Sequence, residues 1–130
     1  MALFILVLGI ELALSLTSYF VLHKLNIVRS VVFLTIISSS IGLVGGWVTG
    51  YRATGAYLLS SYWDQTNIQL QQRGGSKMSN EESEQLYDKI MANPEFYRLC
   101  HKNAATHSLP AFLIVFLIIF SIARKRKINQ

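Results

Sequence analysis

Glu11 is the one ionisable side chain between Ala2 and Leu22, a stretch otherwise made of Leu, Ile, Val, Phe and small residues. If that stretch is helical, Ser15 and Ser18 fall at i+4 and i+7 from it, so one stripe of the helix is polar. Counted from the chain start, Glu11 sits about 15 Å along the helix, near the middle of a bilayer if the helix crosses one. An ionised carboxylate is costly there, and such residues turn away from lipid toward a partner group. The next apolar run supplies Ser38, Ser39 and Ser40 at comparable depth. Glu11 is therefore expected as a neutral acid hydrogen-bonded into this serine cluster. Two roles follow from the chemistry: a proton or ion site or a charge partner for another subunit, or a structural contact that fixes helix register. Within the apolar runs no second ionisable group completes a relay, which favours the structural role.

A second group of reactive types is Cys100, His101 and His107, with Glu95 nearby and His23 far away in sequence. Cys100 and His107, seven apart, could share a helix face, but Cys-x6-His is not a metal-ligand spacing. These three are weak candidates, and no metal is expected. The single cysteine excludes a disulfide framework and any CxxC motif. Haem held by two histidines is disfavoured because His23 and the pair His101 and His107 belong to opposite ends of the apolar helices. No GxSxG elbow, Walker loop or HExxH occurs, so neither a catalytic set nor a cofactor is expected.

The elements that must position these groups are legible from hydropathy. Of 130 residues 52% are hydrophobic and only 15% charged. The runs 1–23 and 30–50 each approach the ~20 apolar residues that cross a bilayer. A third run, 109–123, is short for a span, with Pro110 near its start where a missing amide matters least. Arg124, Lys125, Arg126 and Lys127 follow immediately, as at a membrane interface. A cleaved signal peptide is disfavoured because no Lys or Arg precedes Lys24 and the apolar run is too long. The expected fold is an all-α integral membrane protein with three transmembrane helices, N-out and C-in, and a mostly helical extramembrane segment between spans 2 and 3. The third span, almost without small residues, is expected to present the largest surface to lipid.

Orientation follows from the basic residues. The connection 24–29 carries Lys24 and Arg29, and the tail 124–130 carries four more cations, so both are placed in the cytoplasm. Between them the segment 51–108 balances Arg52, Arg73, Lys77, Lys89, Arg98 and Lys102 against Asp64, Glu81, Glu82, Glu84, Asp88 and Glu95. The net charge of +5 is thus gathered at one side of a membrane and is no sign of nucleic-acid binding. In the outer segment, Tyr51 to Trp63 either extends the second helix or lies along the bilayer surface. A turn is expected at Arg73 to Ser76. Ser79 and Glu82 have capping-box spacing, opening a helix near 80–92, and Asn93 and Pro94 open another near 94–106.

Ser38, Gly42, Gly46 and Gly50 recur every four residues with Gly45 alongside, the small-xxx-small pattern that lets helix backbones approach closely. Its target is either the first helix or another protein. These features point to a small multi-pass protein, in the cytoplasmic inner membrane if bacterial, acting through helix and outer-segment contacts. It would be an accessory subunit of a membrane complex or an immunity or exclusion-type protein, and its partners would be the lipid bilayer and another membrane protein or further copies of itself. Two alternatives remain. In one, Glu11, Ser15 and Ser18 line an oligomeric pore, resembling one class of phage holins in topology only. In the other, Cys100, His101 and His107 serve a redox or metal-binding subunit.

Overall fold

The computed structural model describes residues 1–27 and 29–128. Position 28 of the expected 24–29 connection and positions 129 and 130 of the basic tail lie outside the described residues. Four helices follow in order: α1 (Ala2–Lys24), α2 (Val31–Gln72), α3 (Asn80–Met91) and α4 (Pro94–Ile128). No strand occurs among the described residues. Three helices are long and apolar enough to cross a membrane, namely α1, α2 and α4.

Two of these helices run further than hydropathy alone suggested. The apolar run 30–50 continues without a break to Gln72 as α2. Nothing between Tyr51 and Gln72 stops it: there is no proline, and Gly55 is held 3.6 to 3.7 Å, from a built Cβ, off Phe96 and Cys100. The expected helix near 94–106 and the run 109–123 are likewise one element, α4, with Pro110 inside it. Pro110 lies on the exposed side, so its ring displaces no packed neighbour. In apolar surroundings a broken helix would strand several backbone groups, against the single donor that proline lacks.

The ends follow local chemistry. Ser79 Oγ accepts from the Glu82 amide at 3.2 Å while Glu82 Oε2 accepts from the Ser79 amide at 2.8 Å, completing the capping box. Asn93 Oδ1 accepts from the Glu95 amide at 3.0 Å, capping α4 just before Pro94. α2 closes with a reversal in which the Gly75 amide donates to Leu70 and the Gly74 amide to Gln71, at 2.9 and 3.0 Å. That arrangement needs a left-handed residue, and Gly74 supplies it at φ 78°. Asn26 takes the same part after α1, at φ 53°.

Two packed regions result. In the lower bundle, α1, α2 and α4 enclose Tyr19, Leu34, Val115, Ile119 and Ala123. In the upper part the second half of α2 is paired with α3 and the start of α4 through Ile90, Phe96 and Cys100, with Tyr51, Leu58, Leu59, Leu86 and Met91 against them. The Met78 amide donates to Asn67 Oδ1 at 3.2 Å, tying the segment before α3 back to α2. This upper hairpin, residues 51–72 of α2 at ~1.5 Å per residue, is about 33 Å long. The side of the bundle facing away from these contacts is mostly apolar, with Phe33, Val44, Leu113 and Leu117 all more than 60% exposed.

Replacing Gly74 by Ala forces a Cβ into a left-handed conformation and should cost about 1 kcal/mol. Thermal unfolding should show the loss, and Gly75→Ala, whose built Cβ meets the Leu70 carbonyl oxygen at 3.1 Å, provides a comparison without positive φ.

Candidate intramembrane polar site

The polar residues of α1 and the small residues of α2 face each other in a regular register. A Cβ built on Gly42 collides with Ser15 Oγ and the Glu11 carbonyl, and one built on Gly46 collides with the Glu11 side chain. One built on Gly50 stands 3.6 Å from Val7 Cγ2 and 3.2 Å from Ala104 Cα. Val7, Glu11 and Ser15 thus match Gly50, Gly46 and Gly42, advancing four residues on each antiparallel helix. The glycine stripe is spent on α1 and α4 of the same chain.

α4 adds a third row of the same kind. Phe96, Cys100, Ala104, Ser108, Ala111, Val115, Ile119 and Ala123 are its buried positions, spaced by three or four. Cys100, Ala104, Ser108 and Ala111 are small, which is how α4 comes close to Gly50. This row was missed in the sequence because it straddles the polar 94–106 stretch and the apolar 109–123 run, which were read as separate. Ser108 comes level with Gly46 and faces the Glu11 carboxyl. Thr54, one turn above Gly50, was missed as well and is buried.

Glu11, Ser15, Ser38, Ser39 and Ser108 are each 0% exposed, so four of the five expected polar-site residues are turned inward. Ser18, the fifth, is only half-buried, and Ser40 is exposed. The expected hydrogen bonds from Glu11 to the Ser38–Ser40 cluster are not made: neither carboxyl oxygen reaches hydrogen-bond geometry with any partner, Ser108 included. The register explains the difference. Gly46 stands across from Glu11, and the serines lie about two turns lower, level with Tyr19 and Ser18, roughly 12 Å away at 1.5 Å per residue. The hydroxyls of Ser15, Ser38, Ser39, Thr54 and Ser108 are also unpaired inside the bundle. By contrast Thr35 and Thr49 bond back to carbonyls four residues earlier at 2.8 Å. The seam is polar in composition but closed to solvent, with glycine rather than a counter-charge against the carboxyl.

The reactive group on α4 is dispersed by helix geometry. Cys100 is fully buried against Gly55 and Phe96. His101 is exposed, its ring 4.8 Å from Tyr51 and 6.2 Å from Trp47, and His107 is 6.5 Å from Phe4 of α1. His23 stacks on Tyr19 at the opposite end, with centroids 5.8 Å apart. Among the described residues no three His, Cys, Asp or Glu side chains gather to hold a metal ion. Burial pushes the Cys100 thiol above its ordinary range, which disfavours the reactive thiolate.

No protein-family model matches this chain, and no curated protein or solved structure matches it.

Gly42→Ala must displace the Glu11 backbone and should destabilise the bundle by about 1–3 kcal/mol, the usual cost of overpacking. Gly46→Ala meets a movable side chain and should cost less, while Gly9→Ala, with nothing within 4 Å of its built Cβ, should cost nothing. Thermal unfolding in detergent ranks the three; equal midpoints would contradict the register. Cys100 should react with maleimide much more slowly in the folded protein than after denaturation, which a timed mass shift would reveal.

Proposed function

We propose that this chain is a non-catalytic integral membrane protein that holds a helical hairpin outside the bilayer for another protein to bind. The observation that carries this reading is the continuity of α2 and α4: each passes from the apolar bundle into the hairpin without a break. The hairpin is thereby a rigid extension of the bundle. Tyr57, Tyr87 and Ile68 on it are 73%, 47% and 52% exposed, among balanced charges. Exposed aromatic side chains in a polar surround suit protein contacts.

In this reading α1, the lower part of α2 and the lower part of α4 are the spans, N-out and C-in. The basic end carrying Lys24, Arg29, Arg124, Lys125, Arg126 and Lys127 lies in the cytoplasm, and the near-neutral hairpin lies outside. If the source is bacterial, the membrane is the inner one. The role is that of an accessory subunit of a membrane complex or an immunity or exclusion-type protein, with a membrane protein or a second copy as partner. The polar seam supports a structural rather than a conducting role. Glu11 and Ser15, at 0% exposure against Gly46 and Gly42, line a pore only if the bundle unpacks.

Orientation is tested on a Cys100→Ala background. Ser76→Cys, at the exposed tip, should be labelled in intact cells by a membrane-impermeant maleimide, and Lys125→Cys only after lysis. The opposite pattern would invert the topology. Partner binding is tested by purification from the native host after crosslinking. Tyr57→Glu together with Tyr87→Glu should abolish recovery of the partner, whereas Val44→Ala on the apolar flank should not. A wild-type protein recovered alone and monomeric would refute the role, and dissipation of membrane potential on expression would favour a pore instead.

A further inference from the structure

At the basic end α1 and α4 finish and α2 begins, around a cavity of about 230 Å³. Its walls include His23, Arg29, Arg126 and Lys127, and its floor is Tyr19 and Leu34, both nearly fully buried. Arg126 is held in place by aromatic faces, its guanidinium carbon 4.9 Å from the Phe20 ring centroid and 5.9 Å from that of Tyr19. No acid offsets this charge. Every Asp and Glu of the chain except Glu11 belongs to the hairpin, and the ion pair found among the described residues, Arg98 with Glu95 at 2.9 Å, is there as well.

The start of α2 brings free backbone amides to the cavity, whereas α1 and α4 end there with their carbonyls, so the excess of positive charge comes from the basic side chains. Ser30 makes no side-chain cap, and no acidic residue stands in the first turn. Val31, the first helical residue, lines the cavity, so the opening amides of a 42-residue helix border it. A second hollow adjoins the first and shares Val31 and Lys127 with it. It runs along the flank between α2 and α4 over Val32 and Phe120, apolar apart from Arg124 and Lys127. A cationic chamber thus opens sideways into an apolar groove on the face of the bundle.

We propose that this pair of hollows binds one anionic phospholipid, its phosphate headgroup among Arg29, Arg126 and Lys127 and an acyl chain along Val32 and Phe120. The chamber alone would suit any phosphate. The groove continuous with it selects a phosphate that carries a hydrocarbon chain, and its position at the bundle end is the depth of a headgroup layer. Arginine suits this task because its planar fork pairs with phosphate oxygens in two places. The assignment rests on the membrane-spanning reading above, and the two fail separately.

The test uses the full chain purified in a neutral detergent and titrated with phosphatidylglycerol, phosphatidylcholine or inorganic phosphate. Native mass spectrometry counts bound lipid, and thermal unfolding reads stabilisation. Phosphatidylglycerol should bind one per chain and raise the unfolding temperature, and phosphatidylcholine should do neither. Arg126→Gln and Arg29→Gln should each weaken phosphatidylglycerol binding about fivefold or more. Lys125→Gln removes the same charge outside both hollows and should leave it unchanged, and Arg126→Lys should retain part of it. Equal loss in Lys125→Gln, or equal binding of phosphatidylcholine, would reduce the effect to diffuse charge and overturn the proposal. Inorganic phosphate that stabilises as well as the lipid would overturn the lipid assignment and leave a plain anion site. Release of the protein from native membranes by alkaline carbonate would instead refute the membrane reading itself.

Discussion

The contact of Glu11 and Ser15 with Gly46 and Gly42 sets the geometry of everything else. Because α2 offers no side chain at these positions, α1 comes close enough that a single added carbon would strike its backbone. That closeness fixes the antiparallel register of α1 on α2. α4 packs in the same row, with Ala104 against Gly50 and Ser108 facing the Glu11 carboxyl. For helices in lipid this kind of contact is the available driving force. Apolar side chains gain little by leaving hydrocarbon for one another, so association rests on close backbone packing and on polar groups that avoid the lipid. The bundle follows that logic: Glu11, Ser15, Ser38, Ser39, Ser108 and Gly42, Gly46 and Gly50 face inward, while Phe33, Ile36, Val44, Leu113 and Leu117 face outward.

Much of this could be read from the chain, and the failures have physical causes. Hydropathy located the three apolar helices, and local chemistry placed the ends of α3 and the start of α4 to within a residue. Side-chain identity at Ser79, Glu82, Asn93 and Pro94 acts over a few bonds and needs no knowledge of the fold. Register was not legible in the same way. Counting depth from the ends of the apolar runs set Glu11 beside Ser38 to Ser40, whereas the packing surface set it beside Gly46. Depth along a hydropathy profile is uncertain by a turn or two, and packing is not. The extension of α2 past Tyr51 was one of two readings open in the sequence, and the continuity of α4 was hidden for a related reason. A change from apolar to polar residues marks where the surroundings change, not where backbone hydrogen bonding stops.

The stripe Ser38, Gly42, Gly46 and Gly50 has a direct bearing on partners. Read from sequence it served equally well for an internal or an external contact. Its burial under α1 and α4 removes it from the surface, so a protein that binds this chain must use other features. What is left outside divides into an apolar flank suited to lipid, a hairpin with exposed tyrosines, and a basic end with no matching acid. Each has a different chemistry and would meet a different class of neighbour.

Those regions are not mechanically independent. α2 and α4 each extend through the whole molecule, from the basic end through the polar seam to the hairpin. α2, with no proline from Val31 to Gln72, carries its rotational setting along its whole length, whereas α4 lacks one backbone hydrogen bond at Pro110. The interlocked register at Glu11 and Gly46 therefore constrains how α2 is turned at both ends. With the seam closed, the arrangement of Tyr57 in the hairpin and of Val31 beside Arg126 is set by one shared alignment. A carboxyl packed on glycine without a counter-ion is an expensive means of fixing that alignment, since a buried polar group lacking a partner costs stability. Its cost also has a consequence for specificity. A shift of one turn would bring the carboxyl against Gly42 or Gly50, where Ser15 or Val7 now fits, and would carry every other buried pair out of register.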